Sequence, residues 1–200
     1  DYFEPGRHIP ALHKELNLPE NVQLIGCVGR LAVEKNLDDV IIAVSLISDE
    51  KVHVLFVGDG PELSGLMALC KKVGMSSRAH FLEFRPDVDK LLGEFAVYVQ
   101  SSSFEGMSNS LLEAMAAARP VVVSNIPENL ELVEAGRLGR VFPVGDQRAL
   151  AREICASLEN FKDSEAKGKA ARTFVMRSHS AKEALVSWQK VLMRGALGVV

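Results

Sequence analysis

The sequence predicts an α/β fold in which a doubly wound parallel sheet of about six strands is followed by C-terminal helices. Short apolar runs rich in β-branched residues recur along the chain. They are continuous rather than alternating, as in parallel strands that are covered on both faces. Segments with helical spacing of apolar residues lie between them. This alternation is typical of a Rossmann-like sheet.

The elements follow from these patterns in order along the chain. Strands are predicted at residues 22–28, 52–57, 80–82, 97–100, 121–124 and 139–142. Helices are predicted at residues 37–47, 63–70, 88–95, 109–118 and 146–158. After a polar break at residues 160–164, two further helices are predicted at 165–176 and 180–193.

Domain organisation follows from where the strands stop. We expect one sheet domain over residues 21–158, a lead-in from an interdomain linker over residues 1–20, and a helical tail over residues 159–200. The chain does not begin with Met and shows no signal-peptide pattern, which indicates a fragment of a longer protein. The polypeptide that precedes it is expected to form a further, N-terminal domain.

Composition excludes several classes of protein. With 48% hydrophobic residues in 200, the chain can bury a core, and its net charge of −3 disfavours a nucleic-acid partner. Cys27, Cys70 and Cys155 are widely spaced, which predicts reduced core thiols in a cytosolic protein rather than disulfides or a zinc site. No apolar run approaches the roughly 20 residues that a membrane helix needs.

Ligands of open parallel sheets bind beyond the carboxyl ends of the strands, so the loops there decide function. Gly29 follows the first strand and permits a tight turn, while Arg30 and Lys35 bring two cations to the same edge. A guanidinium and an ammonium together suit a diphosphate, and the alternative is two solvated surface cations.

The next two loops weaken two other functions. Gly58-Asp59-Gly60 begins like a dinucleotide-binding motif, but Leu63 replaces its third glycine, which disfavours a nicotinamide enzyme. Pro61 is instead expected to open the following helix at its first position. The Asp87-x-Asp89 pair could hold a metal, but behind a proline we expect Asp87 to cap a helix. No metal site is therefore predicted.

The loop after the fourth strand carries the densest pattern. Backbone amides of residues 106–109 precede a helix and form an anion-binding arrangement, which Ser108 or Asn109 would cap. Glu105 and Glu113 lie on either side, with seven residues between them. This suits a ligand with hydroxyls at both ends and phosphate in the middle. The alternative is a capped amphipathic helix with solvated glutamates.

Together these motifs resemble the C-terminal, donor-binding half of the retaining GT-B glycosyltransferases known as group 1 or family 4. The resemblance covers nearly the whole chain and includes the Gly-Arg…Lys loop, the Gly58–Leu63 stretch and the Glu-x7-Glu element. It implies that Arg30 and Lys35 neutralise the diphosphate and that Glu105 binds the donor sugar, which makes these three the catalytic residues.

The resemblance also implies a set of donor-binding residues. Glu113 would bind the ribose and Phe84 and Arg85 would contact the base. The remaining donor-binding positions would contribute backbone amides or close backbone approach, and they are Gly29, Gly106, Met107, Ser108 and Asn109. Ser108 stands where a second glycine is common, so the identity of the sugar is left open.

Further expectations come from the same resemblance. The reaction would transfer a hexose-type sugar from a UDP- or GDP-linked donor, with neither cofactor nor metal. The acceptor, such as a growing polysaccharide or a lipid-linked glycan, would bind the absent N-terminal domain, so the chain alone would be inactive. The location would be cytoplasmic, and peripheral contact with the inner face of the membrane is left open. The alternative function is a non-catalytic nucleotide-binding or interaction domain of the same fold.

Overall fold

The computed structural model describes residues 11–178 and contains one six-stranded parallel sheet. The strand order is β3-β2-β1-β4-β5-β6, the order of a Rossmann-like doubly wound sheet. The strands are β1 Gln23–Val28, β2 Val52–Val57, β3 Ala79–Leu82, β4 Val97–Gln100, β5 Val121–Ser124 and β6 Arg140–Phe142. The predicted fold class is confirmed, and each strand lies within one residue of its predicted bounds.

Within residues 11–178, eight α-helices precede, connect or follow the strands. They are α1 Ala11–Glu15, α2 Leu37–Ser45, α3 Leu63–Lys72, α4 Val88–Leu92, α5 Asn109–Ala116, α6 Pro127–Leu132, α7 Gln147–Glu159 and α8 Phe161–Ser178. Two 3-10 turns, Val33–Lys35 and Glu134–Gly136, complete the described part of the chain.

Two apolar clusters cover the two faces of the sheet, because successive strand residues point to opposite sides. Phe56 of β2 packs with α2, α3 and α7 on one face. Its neighbour Leu55 packs on the other face with α1, α4, α5 and α8. Each fully buried side chain of this size contributes about 1.5–3 kcal/mol. The two clusters hold the strand ends, and the loops they carry, in fixed positions.

One helix prediction at the C-terminal side needs correction. The polar break expected at residues 160–164 is wrong, because α8 already begins at Phe161. Ser164 is buried between α7 and α8, where its hydroxyl donates to the carbonyl of Ser157 at 2.8 Å. A polar residue here marks a helix contact rather than a break. The predicted helix at 180–193 lies outside the described residues.

Helix α5 ends two residues earlier than predicted. Ala118 has a φ of 56°, in the left-handed region that stops a helix. Gly168 of α8 lies so close that a Cβ there would overlap the carbonyl oxygen of Ala118. The end of α5 is therefore set by its contact with α8, a tertiary effect that periodicity does not register.

Helix α1, which the sequence did not predict, is fixed to the sheet domain by one carboxylate. The buried Glu94 accepts the backbone N–H groups of Ala11 and Leu12 at 3.0 Å. The Nε2–H of His13 donates to the carbonyl oxygen of Val22 at 2.9 Å. The carboxylate that starts this helix lies about eighty residues away in sequence, so no local signal marks it.

A histidine pair joins β2 and β3 at the end of the sheet opposite the carboxyl edge. His53 Nδ1 lies 2.9 Å from His80 Nε2, and the rings are nearly parallel with centroids 5.2 Å apart. Burial lowers the pKa of His53 and lowers that of His80 to about 4. Of the other histidines, His8 and His179 lie outside the described residues.

We expect this pair to make the protein acid-sensitive. The folded rings bind protons more weakly than unfolded ones, so stability is lost as pH falls from about 6.5 toward 4. Replacing both rings by glutamine should remove about 1–2 kcal/mol of that loss, a figure reduced for solvent screening. Urea unfolding at pH 7 and pH 4.5 measures it. If the free energy of unfolding falls equally in the wild type and the double variant between pH 7 and pH 4.5, the histidine pair is not the source of the acid sensitivity.

Candidate functional site

A cleft of about 640 Å³ opens at the carboxyl edge of the sheet, beside the point where the strand order reverses between β1 and β4. Its walls are the loops after β1, β2, β3 and β4 and the first turns of α5. Ten of the eleven predicted site residues line it, namely Gly29, Arg30, Lys35, Phe84, Arg85, Glu105, Met107, Ser108, Asn109 and Glu113. Gly106 does not line this cleft.

Glycines let the loops after β1 and β2 touch. Gly58 has a φ of 139°, and a Cβ there would overlap the carbonyl oxygen of Gly29. The Gly29 N–H donates to the carbonyl of Val57 at 3.0 Å, and the Leu31 N–H donates to that of Asp59 at 2.9 Å. The two loops therefore form one tightly joined floor for the cleft.

The two cations of the cleft differ in their surroundings. Arg30 is exposed and has no hydrogen-bond or ion-pair partner within residues 11–178. Lys35 ends the 3-10 turn after β1, and its ammonium donates to Glu105 Oε1 at 2.6 Å. All donors of Arg30 are thus available to an anionic ligand, whereas the Lys35 ammonium uses one of its three donors in an ion pair with Glu105.

Helix α5 presents its N-terminus to the cleft. Ser108 caps the helix, because its hydroxyl accepts the N–H of Leu111 at 3.3 Å, as the sequence predicted. The N–H groups of Asn109 and Ser110 come before the first N–H that donates to a helix carbonyl, that of Leu112, so they have no partner within the helix. Such groups favour anions, and the positive end of the helix dipole adds to the effect.

Glu113 lies one turn further along α5 and is half-buried at the cleft wall. Desolvation raises its carboxyl pKa, and the negative charge of Asp89 raises it further. Its carboxylate has no hydrogen-bond partner among residues 11–178. A carboxylate kept partly from water without a donor is suited to accept hydrogen bonds from a ligand.

The chain matches the sequence profile described as "Glycosyl transferases group 1" over residues 8–174. It belongs to this family. The observation that decides membership is the extent of the match, which includes every strand and every loop of the cleft. The family resemblance inferred from the loop motifs is confirmed.

Several curated relatives are named glycosyltransferases, and another is named a synthase. The lipopolysaccharide core biosynthesis glycosyltransferase LpsE of Rhizobium meliloti is 29% identical over 149 residues, 74% of this chain and 43% of LpsE. N-acetyl-alpha-D-glucosaminyl L-malate synthase of Bacillus anthracis is 25% identical over 95% of this chain and 50% of its own length. The chain therefore spans about half the length of these relatives.

Solved structures share the fold. HepE of Anabaena, crystallised with UDP, superposes with a TM-score of 0.87 at 23% identity over 98% of this chain and 54% of HepE. A glycosyltransferase from Rickettsia africae gives a TM-score of 0.89 at 19% identity over 100% of this chain and 55% of its own. The sheet has the Rossmann-like fold of about half of each of these GT-B glycosyltransferases.

Arg85, which the family resemblance places at the base, has its donors engaged by the protein itself. Its guanidinium binds both carboxylate oxygens of Asp87 at 3.0 Å and both of Glu15 at 2.8 Å. These carboxylates raise the pKa of Arg85, and the guanidinium lowers that of Asp87. Asp87 is the N-cap residue of α4, as predicted, but its carboxylate binds Arg85 instead of a helix N–H.

Three further features of the loops were not anticipated. Pro61 does not open α3 at its first position, since the helix begins at Leu63. The carboxylate of Asp59 accepts the Phe84 N–H at 3.1 Å and so ties the second loop to the third. The side chains of Gln100 and Ser102 donate hydrogen bonds to Glu105. The one sequence signal for this pair was Gln100, a polar residue at the end of the apolar strand β4.

The described residues offer neither a cluster of metal ligands nor a membrane-spanning helix. Residues 11–178 contain no group of three or more His, Cys, Asp or Glu side chains that could hold a metal ion. They also contain no helix with the length and apolar character to cross a membrane. The predictions of metal independence and of a cytoplasmic location stay predictions.

Proposed function

We propose that this chain is the donor-binding half of a retaining glycosyltransferase that transfers a hexose-type sugar from a UDP- or GDP-linked donor. The observation that carries the proposal is one cleft that unites Arg30, Lys35 and the N-terminus of α5 with Glu105 and Glu113. Cationic and amide donors suit the diphosphate. The two carboxylates suit hydroxyl groups on either side of it.

The proposed chemistry is stabilisation of a leaving group. When the bond between sugar and diphosphate breaks, negative charge grows on the diphosphate. Arg30, Lys35 and the first N–H groups of α5 would oppose that charge without reorganisation. Because these groups supply the positive charge themselves, we propose that the reaction needs no metal ion and no cofactor.

The proposed assignment places the rest of the donor along the cleft. Glu105 accepts hydrogen bonds from hydroxyl groups of the sugar, and Glu113 accepts hydrogen bonds from those of the ribose. Gly29 allows the backbone to approach the diphosphate, and the amides around Met107, Ser108 and Asn109 hold sugar and phosphate. Gly106 shapes this loop from outside the cleft lining. Phe84, which is 74% exposed, offers an apolar surface to the base.

The relatives support a sugar donor of this kind. HepE structures contain UDP and UDP-glucose, and a similar poly(ribitol-phosphate) enzyme of Staphylococcus aureus is named an alpha-N-acetylglucosaminyltransferase. For the whole protein we propose an acceptor such as a growing polysaccharide or a lipid-linked glycan, bound by an N-terminal domain. We place the reaction in the cytoplasm, with peripheral membrane contact through that domain.

Calorimetric titration with UDP, GDP, UMP and GMP tests the proposal. One of the two diphosphates should bind at least tenfold more tightly than its monophosphate, because the second phosphate gains charge-assisted hydrogen bonds of about 1.5–3 kcal/mol. EDTA should not change the affinity. If neither diphosphate binds at millimolar concentration, the proposed function is wrong, and an EDTA-sensitive affinity would contradict metal independence alone.

A further inference from the structure

Glu105 is held by only one of its two carboxylate oxygens. The ammonium of Lys35 and the hydroxyl of Ser102 each donate to Oε1 at 2.6 Å, and the side-chain amide of Gln100 donates to the same atom. Within residues 11–178 no group donates to Oε2, although the side chain lines the cleft. The two oxygens of this carboxylate therefore have different surroundings.

The orientation of the Gln100 amide is fixed by a buried tyrosine of the same strand. Tyr98 is fully buried, and its hydroxyl donates to Gln100 Oε1 at 2.9 Å. Burial raises the pKa of this hydroxyl, which keeps it protonated and able to donate. The reverse amide orientation would put the carbonyl oxygen of Gln100 against a carboxylate. The amide nitrogen therefore faces Glu105.

Ser102 is held in the same directional chain of donors. Its hydroxyl oxygen accepts a hydrogen bond from the Gln100 amide at 3.1 Å, and its O–H donates a second hydrogen bond to Glu105. Its backbone carbonyl accepts the hydroxyl of Ser124, at the end of β5, at 2.5 Å. Gln100 and Ser102 are 4% and 1% exposed, so both are fixed by packing as well as by hydrogen bonds.

We propose that Gln100 and Ser102 are positioning residues that anchor Glu105 through Oε1, so that Oε2 is the atom that accepts hydroxyls of the donor sugar. The inference rests on the proposed function and deepens it. Three donors on one oxygen stop the carboxylate from turning, so the free oxygen stays at one place in the cleft. A ligand hydroxyl then meets an acceptor that is already oriented.

The test compares affinities for nucleotide sugars with affinities for the nucleotide alone. The probes are UDP-glucose, UDP-galactose, UDP-N-acetylglucosamine and GDP-mannose, each set against UDP or GDP in calorimetry. In the wild type at least one sugar should bind more tightly than its nucleotide. Ser102→Ala and Gln100→Leu should reduce that advantage about tenfold while nucleotide affinity changes less than twofold.

Two variants separate positioning from folding. Ser102→Thr keeps the hydroxyl and should retain the advantage. Ser103→Ala removes an exposed hydroxyl that donates only to the Glu34 carbonyl, and it should behave like the wild type.

Three results overturn the proposal while nucleotide binding survives. The first is that Ser102→Ala binds the nucleotide sugar as much more tightly than the nucleotide as the wild type does. The second is that both variants lose equal affinity for the nucleotide sugar and for the nucleotide. The third is that the wild type binds no nucleotide sugar more tightly than its nucleotide. Loss of UDP and GDP binding from the wild type would instead overturn the proposed function. The two failures are therefore distinguishable.

Discussion

Replacing Arg30 with alanine should weaken binding of the diphosphate nucleotide by about 10–150-fold and leave the free energy of unfolding nearly unchanged. Arg30 is exposed and unpartnered within residues 11–178, so its removal costs the folded state little. A bound diphosphate would gain one or two charge-assisted hydrogen bonds from the guanidinium. Calorimetry and urea unfolding of the same preparations measure the two quantities.

The matched control is Arg148→Ala, which removes an exposed arginine of α7 that does not line the cleft. It changes the net charge by the same amount, so it reports any long-range electrostatic effect. Equal affinities for Arg30→Ala and Arg148→Ala would show that Arg30 does not contact the phosphates. The salt dependence of binding should also fall in Arg30→Ala and persist in the control.

Gly58→Ala should both destabilise the fold and abolish nucleotide binding. Its Cβ would overlap the carbonyl oxygen of Gly29, and its φ of 139° is strained for any residue with a side chain. Backbone strain and overpacking together cost about 2–5 kcal/mol. The least costly relief is a shift of the loop that carries Gly29 and Arg30, which moves the cation away from the ligand.

Gly65→Ala, seven residues further along the chain, is expected to stabilise the protein rather than destabilise it. Gly65 is exposed in α3, and the atom nearest to its new Cβ would lie 4.0 Å away. Alanine there should stabilise the protein by about 0.5–1 kcal/mol and leave nucleotide affinity unchanged. If Gly58→Ala instead behaves like Gly65→Ala in thermal unfolding, the close contact between the two loops is not present in solution.

The strands were predictable because both faces of the sheet are covered, which makes each strand a continuous apolar run. The ends of the helices were less predictable, because they depend on contacts with residues far away in the sequence. Ala118 ends α5 where Gly168 of α8 contacts it. Helix α1 depends on Glu94, and neither relation has a local signature. The sequence therefore predicts which elements exist better than it predicts where they end.

The candidate site was predictable for a related reason. In a parallel sheet the loops after neighbouring strands share one edge, so residues far apart in sequence could be placed together. The pairing of side chains within the cleft was not predictable, since it depends on ångström-scale distances between loops. Lys35 binds Glu105, and Arg85 binds Glu15 and Asp87 instead of being free.

The bond between Glu15 and Arg85 has a practical consequence for trimming the protein. Helix α1 lies before residue 21, where the sequence alone would begin the sheet domain, yet it supplies a carboxylate to the wall of the cleft and buries Leu12 in the core. A fragment that starts at residue 21 would lose both contacts. The smallest piece suitable for ligand screening or crystallisation therefore has to include helix α1.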